Sequence, residues 1–209
     1  MPRAGGAGRH HGGDDGGNFD RLAPIARLAA EQGATFRVNV YQPVKSDRFS
    51  LSYEQFWEGF RCLFAQTAVV ACTEPLVNAV LGLGGIAGPG CGRGTIRVTA
   101  RGRVLPCVYW PARGPSLADL VRDGPAVADS AEWERLRTVP AACRPCPLVA
   151  TCQGGCASRR LLRGALDEPD EFCPIVRGDA LTLAWARDAG RDLPKSGSAC
   201  TTIVAARPA

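Results

Sequence analysis

Apolar positions repeat with a helical and then a strand period through the first eighty residues, and the pattern breaks into short pieces beyond them. Leu22, Ile25, Leu28 and Ala29 fall at helical spacing behind Asn18 or Asp20, either of which suits an N-cap, and Gly33 is placed to end that helix. Pro24 is tolerable there because it falls near the first turn. Residues 35–42 then alternate. Phe36, Val38 and Val40 face one way and Arg37, Asn39 and Tyr41 the other, which makes a strand with one apolar and one polar face. Such a strand fits an α/β barrel with a polar lumen, and it fits a sheet edge with one wet face equally well. Ser52 and Gln55 form a capping box, and Leu51 with Phe56 a hydrophobic staple, for the next helix. Its Tyr53, Phe56, Trp57, Phe60, Leu63 and Phe64 make one apolar stripe that reads as core, and Cys62 reads as a small buried residue. A short strand over 68–71 and a helical segment over 76–81 follow.

Residues 82–94 are so glycine-rich that they read as a loop and a domain boundary. Beyond them, residues 95–99 and 103–107 flank Ala100-Arg101-Gly102 as a β-hairpin. Short helical pieces are expected at 116–122 and 130–137, where Trp133 and Leu136 share a face, and a last helix over 174–187. The two ends carry little to bury. Residues 1–17 are mostly Gly, His, Asp and Arg, and are expected to be a disordered tail in which His10 and His11 are solvated. Residues 188–209 are expected to be a flexible tail, with Cys200 in it lacking a partner at ligand spacing.

Composition narrows the class. The 209 residues are 45% hydrophobic and 22% charged, as in a globular protein. No apolar run approaches the length of a membrane span, and the N-terminus has no apolar stretch that could act as a secretory signal, so the expectation is a cytoplasmic protein with no membrane partner. The net charge of +5 comes almost wholly from arginine, Lys45 and Lys195 being the two lysines. Without a basic block or an aromatic-interleaved basic stripe, no nucleic-acid partner is expected.

The ten cysteines change the picture most. Seven form an array: Cys91, ten residues to Gly102, four to Cys107, then Cys143, Cys146, Cys152 and Cys156 with gaps of two, five and three, and Cys173 sixteen residues later. In a cytosolic context, regular cysteine spacing points to metal before disulfides. Two thiolates on one centre must converge, and a two-residue gap stiffened by Pro145 lets Cys143 and Cys146 do so. Cys152 and Cys156 are i and i+4, so a helix start would put both on one side, with Gly154 and Gly155 allowing close backbone approach. These segments hold few apolar residues, so metal would supply much of their folding energy. Spacing leaves two metals open. Cys143, Cys146, Cys152 and Cys156 could hold a tetrahedral zinc, with Cys91, Cys107 and Cys173 as three ligands of a second. Iron–sulfur clusters also take four cysteines each, and an anionic cubane would sit well near Arg93, Arg97, Arg101, Arg103, Arg144, Arg159 and Arg160.

The array resembles the SPASM domain of radical S-adenosylmethionine enzymes, a seven-cysteine pattern that it fits at every gap. Cys91-Gly92-Arg93-Gly94, Arg101-Gly102-Arg103-Val104, Pro106-Cys107 and Cys152-Gln153-Gly154-Gly155-Cys156 resemble that domain's surroundings as well. Residues 18–84 resemble the last units of a radical SAM barrel, as an α/β fragment, and residues 85–187 an irregular α+β domain with a β-hairpin and cluster-binding loops. The resemblance implies two auxiliary [4Fe-4S] clusters in interleaved sets, one on Cys91, Cys107 and Cys156 and the other on Cys143, Cys146, Cys152 and Cys173. The first set then lacks a fourth ligand. Relatives often supply one just before the array, where residues 81–90 contain no cysteine; Cys72 is the nearest candidate, beside an open iron or an oxygen ligand.

The family's catalytic C-x3-C-x2-C motif is absent from this sequence. The expectation is therefore the C-terminal part of a peptide- or protein-modifying maturase, from a truncated gene, a misplaced start or a split protein. S-adenosylmethionine would bind only in a full-length context. The implied partners are a peptide or protein substrate, a missing N-terminal barrel or partner chain, and an electron donor. The alternative is a structural zinc-binding interaction module without redox activity.

Overall fold

The computed structural model describes residues 11–14 (backbone only), 16–83, 91–93, 95–111, 113–188 and 200–207. The elements run β1 (His11–Asp14), α1 (Leu22–Glu31), β2 (Phe36–Val40), α2 (Tyr53–Gln66), β3 (Thr67–Cys72), α3 (Pro75–Val80), β4 (Arg97–Val98), β5 (Val104–Leu105), α4 (Leu117–Asp123), α5 (Ala131–Leu136), α6 (Val149–Cys152), α7 (Ala157–Leu162), α8 (Pro174–Arg177), β6 (Ala186–Arg187) and β7 (Thr201–Ala206). Short 3₁₀ turns precede α1, α5 and α6. Among the described residues, no helix is long and apolar enough to cross a membrane.

Alternation decides the strand faces. In β2, Phe36, Val38 and Val40 are buried and the residues between them are half-exposed, as their spacing requires. The capping box of Ser52 and Gln55 opens α2, and the whole aromatic stripe is buried. It packs with Leu22, Ala26 and Ala29 of α1 over Phe36, Val38, Val69 and Val204. Leu28 is exposed, because the buried face of α1 runs through its alanines. Cys62 is half-exposed beside Glu58, one turn earlier on α2, and is not a core residue.

The main sheet has the order β1-β2-β7-β3-β6. β1 and β6 are parallel edge strands, and β7 lies antiparallel between β2 and β3. Both end segments therefore correct the expectation of tails. Residues 11–14 pair with β2 along their backbone, and residues 201–206 form the central strand, with Val204 fully buried. Residues 1–10, 15, 189–199 and 208–209 of those two segments lie outside the described residues, as do 84–90 and 94 of the glycine-rich loop. The last helix is also shorter than expected. It stops at Gly178, whose backbone is left-handed, and the chain returns to the sheet as β6.

The cysteine-rich half is organised around the β4–β5 hairpin and two small cores. Val104, Val127 and Trp133 form one; Cys107, Trp110, Leu136 and Ala157 form the other. These segments thus bury some apolar surface of their own. α3 packs on α6 and connects this half to the sheet.

Val204→Asp would bury an unpaired charge in the central strand and is expected to cost about 4 kcal/mol or more, whereas Val121→Asp on exposed α4 should stay within about 0.5 kcal/mol. Urea unfolding of the two variants checks this; equal small effects would mean that β7 is not part of the folded core.

Candidate metal centres

The cysteines lie in two groups. Cys143 ends a 3₁₀ turn, and Cys146 follows through a turn closed by its N–H donating to the Cys143 carbonyl at 3.1 Å. Cys152 is the last residue of α6, and Cys173 is the N-cap of α8. All four line one cavity, together with Leu76, Ala142, Gly154, Asp170, Ile175 and Val176. Burial raises the thiol pKa values of Cys143 (to about 11), Cys152 and Cys173.

Cys91, Cys107 and Cys156 form the second group. The Cys91 thiol neighbours Cys107 and Cys200, and sharing a proton with them pushes its pKa down, while Cys107 is pushed up by the same contact and by burial. Cys107 also meets Ser158, and the group sits against Tyr109, Trp110, Leu136 and Ala157. Cys200 is a member that spacing could not reveal, because β7 carries it there from the far end of the chain. Cys72 faces elsewhere. Its sulfur lies 3.3 Å from the Thr202 hydroxyl and 3.7 Å from the Glu74 carbonyl. The first group borders a cavity, and among the described residues no three His, Cys, Asp or Glu side chains are arranged to hold a single ion.

A backbone inversion separates the groups. After Cys152, the residues Gln153, Gly154 and Gly155 all have positive φ, at 50°, 84° and 86°. This run turns the chain over, so Cys156 leaves the side occupied by Cys152 and becomes the N-cap of α7. The expectation that an i, i+4 pair shares one side is thereby corrected: no helix spans the two positions. The glycines are required here for space as well as for φ. A Cβ on Gly155 would stand 2.3 Å from the Asp170 Cβ, and one on Gly154 would stand 2.4 Å from Pro140 Cδ and 3.7 Å from Cys143 Sγ.

Asp170 holds this loop from beneath. Its Oδ2 accepts the Cys156 N–H at 2.8 Å and its Oδ1 the Phe172 N–H at 3.1 Å. Arg159 binds it through Nε (2.9 Å to Oδ1) and Nη2 (2.6 Å to Oδ2), and Nη2 also reaches Glu74 Oε1 at 3.0 Å. All three residues are buried. The guanidinium lies 4.8 Å from the Phe172 ring centroid, Phe172 stacks on Phe56 at 4.4 Å, and Trp57 Nε1 donates to the Phe172 carbonyl at 2.9 Å. This triad therefore joins α2 and the end of β3 to both cysteine groups. Sequence proximity suggested Arg159 and Arg160 as neighbours of a cluster. In the fold, Arg159 is committed to the carboxylates, and Arg160 donates to the Thr138 and Leu166 carbonyls. Arg93 does reach the inverted loop, donating to Gln153.

One guanidinium faces two carboxylates. Burial raises the Glu74 pKa against the pull of Arg159, while burial of Arg159 is outweighed by Asp170 and Glu74, so the guanidinium stays charged. Glu74 is thus the group that readily carries the proton. Comparison of the chain with models of protein families, with curated proteins and with solved structures finds no match in any of them.

Asp170→Asn is expected to cost about 3–5 kcal/mol, because it strands a buried guanidinium, whereas Glu74→Gln should cost less. A raised native pKa means that Glu74's contribution is complete below its ordinary value of 4.5 and is lost as pH rises through the raised native value. The wild-type excess over Glu74→Gln should therefore shrink from pH 4 to pH 8 in urea titrations; an excess that grows with pH would contradict the assignment.

Proposed function

We propose that this chain binds two auxiliary iron–sulfur clusters as the C-terminal part of a radical SAM/SPASM maturase acting on a peptide or protein. The observation that carries the reading is the division of the cysteines: Cys143, Cys146, Cys152 and Cys173 around one cavity, and Cys91, Cys107 and Cys156 together beyond the inverted loop. That division matches the interleaved ligand sets which the SPASM resemblance implies. It supports the cluster reading over the zinc allocation, which would have needed Cys156 on the same centre as Cys143, Cys146 and Cys152.

The donor sets fit such groups in their chemistry, being thiols in half-buried or buried positions, one set around a cavity. When bound, clusters of this kind pass single electrons or hold a substrate. The protein's own residues do the positioning. The Cys143–Cys146 turn and the helix ends at Cys152 and Cys173 aim four thiols at one space. Asp170 fixes the Cys156 backbone, and Gly154 leaves the Cys143 sulfur clear. The catalytic motif and the strands that would hold S-adenosylmethionine are not in this sequence, so peptide modification would need a barrel from elsewhere.

Anaerobic reconstitution with ferrous iron and sulfide should give a brown protein with about eight irons and eight sulfides per chain, from two cubanes. A colourless protein that takes up stoichiometric zinc instead would favour the structural zinc module. Replacing Cys152 and Cys173 together by Ala should halve the iron content; retention of both clusters would show that the ligand sorting is wrong.

A further inference from the structure

The Cys91–Cys107–Cys156 group is one thiolate short of a cubane's ordinary four. The structure assigns the missing position to Cys200: we propose that it is the fourth thiolate ligand of that centre, so that the C-terminal strand closes the cluster site. This rests on the cluster-binding reading above and completes one of its two sites.

Three features carry it. First, the Cys200 thiol neighbours both Cys156 and Cys91, and Cys91 in turn neighbours Cys107, so the four sulfurs form one contiguous set. Second, the four meet at one aromatic neighbour. Tyr109 packs beside Cys107 and Cys91, and its phenol feels Cys107, Cys200, Cys156 and Cys91 together. Third, Cys200 is held by the sheet. It directly precedes β7, whose first residue Thr201 accepts the Thr73 N–H at 2.8 Å and donates its own N–H to Thr73 Oγ1 at 3.0 Å. The Thr201 hydroxyl also donates to Asn39 on β2. Thr73 adjoins Glu74, the carboxylate that Arg159 ties to Asp170 and hence to the Cys156 backbone. Cys200 and Cys156 are thus placed by one connected framework. Cys72, the candidate nearest the array, is turned to Thr202 and lies outside the set. Binding through Cys200 would release its thiol proton and couple cluster loading to the docking of β7.

The test uses the full chain, reconstituted anaerobically, with Cys200→Ala beside Cys72→Ala and Cys62→Ala. In the Cys200 variant, one iron per chain should be lost to a ferrous chelator about tenfold or more faster than in wild type. Mild oxidation should turn one of the two clusters into a three-iron form, seen by electron paramagnetic resonance, while the other stays intact and reports a folded protein. The two control variants should match wild type. Two unaltered cubanes in Cys200→Ala would overturn the assignment and leave the cluster reading standing; a wild-type chain that takes up no iron and sulfide would overturn both. Placement is checked without metal by brief diamide treatment of the full chain. A Cys200 disulfide to Cys156 or Cys91, located by mass spectrometry, is expected, and a Cys200 that bridges to Cys62 or Cys72 instead would contradict it.

Discussion

The buried contact of Arg159 with Asp170 and Glu74 is the constraint on which the arrangement of this protein depends. A charge out of water is costly unless it is paired and hydrogen-bonded, and this triad is paired across three distant parts of the chain. Glu74 comes from the N-cap of α3 just after β3, Arg159 from α7 and Asp170 from the segment before α8. Arg159 cannot be shifted without stranding both acids, nor Asp170 without leaving the guanidinium short of its main partner. Because Asp170 also accepts the Cys156 N–H, the ion pair sets the position of a cysteine as well as the seam between the sheet layer and the cysteine-rich half. The stacked Phe56 and Phe172 rings and the Trp57 hydrogen bond reinforce the same seam from the apolar side.

From that seam the sorting of the thiols follows. Five residues, Cys152 to Cys156, must deliver one cysteine to each side of a thin partition. A helical or extended path could not reverse direction within so short a span. Three consecutive left-handed residues can, and the two glycines among them also let Asp170 and Pro140 approach to distances that exclude a side chain. The partition is therefore backbone, clamped by a buried carboxylate. The cavity of Cys143, Cys146, Cys152 and Cys173 lies on one side, and the Cys91, Cys107, Cys156 and Cys200 set on the other.

Much of this was legible from residue order, and the parts that were not have physical reasons. The capping box and aromatic stripe of α2, the alternation of β2 and the hairpin around Gly102 are local signals, and each element is found within a few residues of its expected place. The cysteine spacing by itself pointed Cys152 and Cys156 to one side; only the family resemblance separated them. The outcome depended on backbone signs that spacing does not encode. The central position of β7 is a non-local fact. Thr201, Thr202, Ile203 and Val204 are β-branched, which is a strand signal, but nothing near them in sequence indicates that β2 and β3 leave a gap for them. Cys200 was missed for the same reason, as a partner brought by topology. Nothing near Asp170 or Glu74 in sequence marks them as buried acids, and their burial appears only once Arg159 is seen between them.

The central claim is that the thiols surround polynuclear clusters and do not grip single ions. Iron K-edge X-ray absorption of the anaerobically loaded full chain tests it most directly. The expected spectrum has an all-sulfur first shell followed by a strong iron–iron shell, as in cubanes. A first shell without any iron–iron scattering would contradict the claim.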